Sequence, residues 1–189
     1  MKNKLVLGIT GKSGCGKTTF VNNLAGDYYT IDVDIIHKEI VAELRDPIVG
    51  IYIEMEYPVL EFDEAIKIFF KDKELREQIN ALTFPILFER IKKLVDESAN
   101  DVIILDAPLL FDTQLNKLCN KFWLVKCNTS DNIKRLIERN KLSHEDAIWR
   151  YNVINFTSEQ YKLFEQIINT SIPYKVDYYK KMIEGYGQE

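Results

Sequence analysis

The stretch GITGKSGCGKTTF, residues 8–20, decides the fold of this 189-residue chain. Within it, residues 11–18 read GKSGCGKT and match the phosphate-binding pattern G-x-x-x-x-G-K-[ST]. The apolar segment KLVLGI (4–9) precedes the loop and predicts a buried strand, and the amphipathic segment TTFVNNLA (18–25) follows it. A strand, a glycine-rich turn and a helix in this order present backbone N–H groups and a helix N-terminus to a phosphate. The sequence therefore predicts a nucleoside triphosphate site.

Individual loop residues have predicted roles. We expect Lys17 to bridge the β- and γ-phosphates and the Thr18 hydroxyl to bind Mg²⁺. The base-reading tetrapeptide N-K-x-D of GTP-binding proteins does not occur, since NKFW (120–123) fails at its fourth position, and ATP is favoured over GTP. Two of the loop residues, Lys12 and Ser13, occupy variable positions and are assigned no chemistry. The predicted nucleotide cradle comprises Gly11, Lys12, Ser13, Gly14, Cys15, Gly16, Lys17, Thr18 and Thr19.

The composition narrows the class of protein. A net charge of −4 is opposite in sign to the basic excess of nucleic-acid-binding surfaces. The longest apolar run, around Asp106, is too short to cross a bilayer, and the apolar start LVLGI (5–9) is too short for a signal peptide. An odd count of three cysteines indicates free thiols in a reducing compartment. We therefore expect a cytoplasmic protein without nucleic-acid or membrane partners, either a monomer or a weak homo-oligomer.

Short apolar runs alternate with amphipathic stretches along the chain. This pattern is typical of α/β proteins with a parallel sheet, here of about five strands flanked by helices. The long connection after the second strand carries helical periodicity in FDEAIKIFF, KELREQINAL and PILFERIKKLVDESA. We expect one domain over residues 1–189 with a helical insert at 40–98. The predicted strands are KLVLGI (4–9), YYTIDV (28–33), DVIILDA (101–107), KFWLVKC (121–127) and EQIIN (165–169).

Acidic residues lie at two predicted strand ends. Asp32 and Asp34 are two residues apart, and on an extended segment they share one side. A carboxylate at the carboxyl end of a parallel strand can accept a proton from an attacking hydroxyl or hold Mg²⁺. The alternative for Asp32 is to cap the following helix, and the alternative for Asp106, which closes VIIL, is to cap the turn at Pro108. Asp32 and Asp34 are therefore candidates for the base or for a Mg²⁺ ligand, and Asp106 and Thr18 are candidate Mg²⁺ ligands.

Basic residues follow the fourth predicted strand. In NIKRLIERN, Arg135 and Arg139 are four residues apart and share a helix face, so both can neutralise a transferring phosphoryl group. Arg150, in the next helix, is a further candidate to reach the adenine or the phosphates. The alternative for the first two arginines is a set of surface ion pairs with Glu138, Glu145 or Asp146.

Three other reactive side chains have simpler expected roles. His37 and His144 lie in predicted first helical turns, where solvated or capping roles are favoured over catalysis. Cys15 lies near a helix N-terminus, which can lower a thiol pKa, but a small residue facing the backbone is the favoured interpretation.

These segments resemble the dephospho-coenzyme A kinases, which phosphorylate the ribose 3′-hydroxyl of dephospho-CoA with MgATP. The resemblance covers most of the chain, and the motif most specific to it is DAPLLF (106–111). It implies a three-layer phosphate-loop fold, a helical acceptor-binding region and a lid at 139–156. It also implies that Asp34 is the base and that Arg139 or a neighbour is the lid arginine. The segments are TGKSGCGKTT, IDVDIIHKEIV, LEFDEAIKIFFKDKELREQINALTFPIL, ILDAPLLF, NIKRLIERN and EQIIN, in that order.

The chain departs from this family at three places. It has Phe84-Pro85 where the family has His-Pro, and Leu60-Glu61-Phe62 where the family has L-D-R. Ile154 or Asn155 stands where the lid of the family carries glutamine. The first two departures remove positive charge from the acceptor side. The predicted acceptor is dephospho-CoA or a related nucleotide-like molecule. A nucleoside or nucleotide kinase and an ATP-binding protein without kinase activity remain as alternatives.

Overall fold

A five-stranded sheet forms the centre of the protein. The computed structural model describes residues 4–58 and 61–186. All strand pairs are parallel, in the order β2-β3-β1-β4-β5, as the alternating pattern predicts. The strands are β1 (Leu5–Thr10), β2 (Tyr29–Asp32), β3 (Val102–Asp106), β4 (Lys121–Lys126) and β5 (Gln166–Asn169).

Helices connect the strands and cover both faces of the sheet. They are α1 (Lys17–Leu24), α2 (Val33–Glu43), α3 (Arg45–Glu54), α4 (Phe62–Lys71), α5 (Lys73–Glu97), α6 (Thr129–Asn140), α7 (His144–Val153), α8 (Ser158–Tyr161) and α9 (Val176–Tyr186), with a short 3-10 helix at Leu115–Leu118. Among the residues described, none of these helices is long and apolar enough to span a membrane.

Alternate side chains of the central strand enter two separate cores. Leu7 packs in one core with Phe20 of α1 and Trp123 of β4. Its neighbour Val6 packs in the other core with residues of α2 and α5, among them Leu87. Successive strand side chains point to opposite faces, so a strand that is apolar throughout must be covered on both sides. The expected three-layer α/β fold is confirmed.

The connection between β2 and β3 differs from the sequence prediction in two respects. The segment at Arg45–Glu54 is helical, although within the expected helical insert no individual helix was predicted at these residues. The two helices predicted on either side of Pro85 are one continuous helix, α5. Proline inside a helix costs about 3 kcal/mol, but a single buried face runs past it on both sides, and its packing outweighs that cost. The buried residues of this face are Leu75, Ile79, Thr83, Leu87, Ile91 and Val95.

Helix α2 begins earlier than the sequence suggests. The Asp32 side chain accepts a hydrogen bond from the Ile35 N–H at 3.1 Å, which makes Asp32 the N-cap. Asp34 therefore lies in the first turn of α2, and the expectation that it shares one side of an extended segment with Asp32 is wrong. Ser143 is the N-cap of α7, since its hydroxyl oxygen accepts a hydrogen bond from the Asp146 N–H at 3.1 Å.

Candidate active site

The phosphate loop joins β1 to α1, and Gly11 and Gly16 are among the positions where it requires glycine. Gly16 is the N-cap of α1 and has a φ of 87°, a left-handed conformation that strains other residues. At Gly11 a Cβ atom would lie 2.3 Å from the carbonyl oxygen of Val125, so a side chain is excluded by β4. The loop therefore closes tightly around the N-terminus of α1, as its motif predicts.

Lys17 and Asp106 form a buried ion pair at the base of this loop. Lys17 is 7% exposed at the start of α1, and Asp106 is 3% exposed at the end of β3. Burial raises the pKa of Asp106, and the ammonium of Lys17 opposes that rise. The backbone after Asp106 is fixed by the Thr10 hydroxyl, which donates to the Pro108 carbonyl at 2.9 Å. The sequence places both charged residues at the site, but it does not predict their pairing.

Two further carboxylates, those of Asp32 and Asp34, lie close enough to influence the Lys17–Asp106 pair electrostatically. Asp32 lies directly opposite Asp106 in the register of β2 and β3. The pKa of Asp34 is raised, chiefly by loss of solvation, while Lys17 lowers it and Asp32 raises it. Asp32 and Asp34 in turn contribute to the raised pKa of Asp106. The structure thus brings the predicted base and two predicted metal ligands close to the phosphate-loop lysine. Asp32 also has the capping role that was its alternative, since it accepts the hydrogen bond from the Ile35 N–H.

Arg135 packs over the phosphate loop. Its Nη1 donates to Thr170 Oγ1 at 3.2 Å, and Thr170 Oγ1 donates to the Cys15 carbonyl at 2.6 Å. The same Nη1 lies 3.3 Å from the place that a Cβ atom of Gly16 would occupy. The sequence prediction missed Thr170. It follows β5 directly, and the rule that ligands bind at the carboxyl ends of parallel strands is the signal that could have found it.

Arg139 and Arg150 lie close enough to repel each other. Burial and the charge of Arg139 lower the pKa of Arg150, whose guanidinium carbon lies 4.4 Å from the centroid of the Phe70 ring. Asp146, a possible surface partner of the arginines, instead bonds to Lys71 of α4 at 3.0 Å. Both arginines are therefore near the face where α7 meets α4.

The cysteine and the two histidines with simpler expected roles are Cys15, His37 and His144, and the first two of them are at least partly buried. Cys15 is buried, and loss of solvation raises its thiol pKa to about 12, which outweighs any lowering by the helix N-terminus. Nε2 of His37 lies 3.2 Å from Thr83 Oγ1 across α2 and α5, so a fully solvated role for His37 is wrong. His144 is exposed in the first turn of α7, as expected.

The helices between β2 and β3 border a cleft of about 610 Å³ beside α5. Phe84 lines it, and the Phe84 ring centroid lies 6.0 Å from that of His37. Phe62, the second departure from the family, begins α4 and is 73% exposed, while Leu60 lies outside the described residues. The described lining of the cleft contains no basic residue; it consists of Glu77, Asn80, Ala81, Phe84, Pro85, Phe88, Glu89, Asp112, Thr113 and Gln114.

Comparison of the sequence with known proteins assigns the chain to a family. A sequence model of the family described as dephospho-CoA kinase matches residues 5–173. The chain belongs to the dephospho-CoA kinase family. A dephospho-CoA kinase of Trichormus variabilis is 29% identical over 174 residues, which cover 88% of this chain and 89% of the relative. That of Listeria monocytogenes serotype 4b is 30% identical over 154 residues, or 76% of this chain and 77% of the relative.

A solved structure supports the fold. The dephospho-CoA kinase of Campylobacter jejuni superposes with a TM-score of 0.61 at 22% identity, over 98% of this chain and all of that one (100%). Identity this low supports the shared architecture and not the roles of individual residues. The resemblance predicted from the motifs is confirmed at the level of the family.

Proposed function

We propose that this member of the dephospho-CoA kinase family transfers the γ-phosphoryl group of ATP to the ribose 3′-hydroxyl of dephospho-CoA. A bond forms between the 3′-oxygen and the γ-phosphorus, and the bond from that phosphorus to the β–γ bridging oxygen breaks. ADP leaves, and the hydroxyl proton passes to a carboxylate. The observation that carries the proposal is the position of Asp34, in the first turn of α2 and within the field of Lys17. A protein that only binds nucleotide does not need this acceptor-side carboxylate.

The donor half of the site consists of the phosphate loop and its arginines. Backbone N–H groups of the loop and the N-terminus of α1 bind the phosphate oxygens. Lys17 leaves Asp106 for the β- and γ-phosphates when ATP enters. Arg135, already over the loop, and Arg139 neutralise the charge that spreads over the transferring group.

Asp34 is the general base of the proposed reaction. Loss of solvation and the neighbouring Asp32 raise the pKa of Asp34, so its ionised form binds a proton more tightly than an ordinary carboxylate. A base of this kind contributes about 10²–10⁴-fold to the rate when it lies within reach of the hydroxyl. Although protein surrounds much of Asp34, part of its surface stays open to solvent, which lets an acceptor approach it.

Mg²⁺ fits the residues at the end of the sheet. Asp32 and Asp106 are register partners, and Thr18 has an exposed side chain in the first turn of α1, so hard oxygen ligands are available. No group of three or more His, Cys, Asp and Glu residues in 4–58 and 61–186 is arranged to hold a metal. Two carboxylates and a hydroxyl suit Mg²⁺, which usually completes its shell with water and substrate phosphates. When bound, Mg²⁺ supplies charge neutralisation at the phosphates.

Lys38 supplies positive charge on the acceptor side. It lies one turn after Asp34 on α2, is exposed, and lowers the pKa of Asp34. The sequence prediction missed Lys38 because an isolated exposed lysine on a helix carries no motif.

The test is a coupled assay of ADP release with dephospho-CoA against a panel of nucleosides and nucleotides. We expect release with dephospho-CoA and a product heavier by one phosphate, with the phosphate at the 3′ position by ³¹P NMR. Lys17→Met serves as the inactive control. Activity with nucleosides alone would favour the nucleoside kinase, and MgATP binding without transfer to any acceptor would favour the silent ATP-binding protein.

The remaining properties of the proposed enzyme are predictions from the sequence. They are a cytoplasmic location, an absence of nucleic-acid partners, and a monomeric or weakly oligomeric state. The roles of residues 40–98 as acceptor-binding insert and of 139–156 as lid are part of the same proposal.

A further inference from the structure

Lys12, in the phosphate loop, contacts the end of α7. Its Nζ donates to the Tyr151 carbonyl at 3.2 Å and to Asn155 Oδ1 at 3.0 Å. The same Nζ lies 3.8 Å from the centroid of the Tyr151 ring. Lys12 and Tyr151 are 139 positions apart in the sequence, so these contacts join two distant segments.

Each contact is of a kind that an ammonium group makes. The Tyr151 carbonyl belongs to the last turn of α7, where the helix dipole is negative and carbonyls lack helical partners. The face of the Tyr151 ring attracts a cation, and the amide oxygen of Asn155 accepts a further hydrogen bond. The ammonium has three N–H donors, and the two hydrogen bonds use two of them. Lys12 thus makes a specific contact instead of extending freely into solvent.

The contact lies next to Arg150, which packs on α4. Arg150 directly precedes Tyr151, and its guanidinium lies over the Phe70 ring of α4 at 4.4 Å. One turn earlier, Asp146 bonds to Lys71 of α4 at 3.0 Å. Helix α7 is therefore held at one end by the phosphate loop and along one face by α4.

We propose that Lys12 is a positioning residue, which fastens the C-terminal end of α7 to the phosphate loop. The proposal rests on the proposed kinase function. In that reaction, a fastened α7 keeps water away from the γ-phosphate until the acceptor arrives. Release of α7 raises hydrolysis of ATP relative to transfer.

The first experiment is hydrogen exchange on the nucleotide-free protein, which does not depend on the acceptor. Lys12→Met keeps the unbranched stem and removes the charge, Lys12→Arg restores charge and donors, and Lys134→Met is the control on the exposed face of α6. We expect exchange at 148–155 to rise on the order of 5–10-fold in Lys12→Met, from loss of two hydrogen bonds and a cation–π contact. Lys12→Arg and Lys134→Met should behave as the wild type. Unchanged exchange in Lys12→Met overturns the proposal.

The second experiment separates a fastening role from direct phosphate binding. We measure ATP hydrolysis without acceptor, ATP affinity and transfer for Lys12→Met, Asn155→Ala and the double variant. We expect both single variants to raise the ratio of hydrolysis to transfer several-fold, and the double variant to add little, because each removes the same contact. If Lys12→Met weakens ATP binding while Asn155→Ala has no effect, Lys12 is a phosphate ligand and the proposal is wrong. Faster exchange in a protein that does not phosphorylate dephospho-CoA supports the fastening role and contradicts the proposed function.

Discussion

Lys17 at the start of α1 and Asp106 at the end of β3 neutralise each other beside the phosphate loop. Both side chains are almost fully buried, so neither charge has water as an alternative partner. In the proposed reaction the same lysine binds phosphate and the same carboxylate is a ligand of Mg²⁺. The ion pair therefore stabilises the site without ligand and must separate when MgATP binds.

Asp106→Asn removes one partner of this pair and leaves the Lys17 ammonium buried and uncompensated. We expect the free energy of unfolding of the nucleotide-free protein to fall by about 3 kcal/mol, at the lower end of the cost of breaking a buried pair. ATP without Mg²⁺ should stabilise this variant more than the wild type, because no carboxylate competes for the lysine. Thermal unfolding with and without ATP measures both effects.

A matched control is Asp63→Asn, which changes an exposed acid in the first turn of α4. It should alter the free energy of unfolding by no more than about 0.5 kcal/mol. Equal stability of Asp106→Asn and the wild type would show that the ion pair does not support the nucleotide-free fold.

The pH dependence of activity follows from the raised pKa of Asp34. A raised pKa means that the carboxylate takes up its proton at a higher pH than the ordinary value of 3.8, so kcat/KM should fall on the acid side at a pH above that value. Asp32→Asn should move this acid limb to lower pH, because the Asp32 charge raises the pKa of Asp34. Lys38→Met should move it to higher pH, because the Lys38 charge lowers that pKa. Profiles of kcat/KM against pH for the wild type, Asp32→Asn and Lys38→Met check that the two variants shift the acid limb in opposite directions. Shifts in the same direction would contradict the assignment of Asp34 as the titrating base.

Pro85→Ala should stabilise the protein. Pro85 lies in the middle of α5 with an exposed side chain and cannot donate the helical hydrogen bond to the residue 81 carbonyl. Alanine restores that bond, and we expect the free energy of unfolding to rise by about 1–3 kcal/mol. Urea unfolding of the two proteins measures the difference. A less stable Pro85→Ala protein would show that the proline conformation is required by the packing of α5.

The parts of the site that the sequence predicts are those fixed by local chemistry. The phosphate loop and the five strands depend on short segments, and their predicted positions are confirmed. The start of α2 was missed because the Asp32 cap outweighs the strand pattern and carries Asp34 into a helix. The continuity of α5 was missed because the favourable packing on both sides of Pro85 comes from other elements.

Contacts between distant segments have no local pattern. The bond from Lys12 to Tyr151 spans 139 positions and that from Thr170 to Cys15 spans 155. Only the order of the strands brings such residues together, since β1 lies beside β4, and β4 beside β5. The sequence could therefore indicate a nucleotide site and its family, but not which side chains connect the loop to the helices around it.

The most direct test of the proposed mechanism is turnover by Asp34→Asn with dephospho-CoA and MgATP. Asparagine keeps the size of the side chain and cannot accept the hydroxyl proton, and Asp34 is not part of the phosphate loop. We predict that kcat falls by about 10²-fold or more while the Kd for ATP stays near the wild-type value. Unchanged turnover in Asp34→Asn would contradict the account.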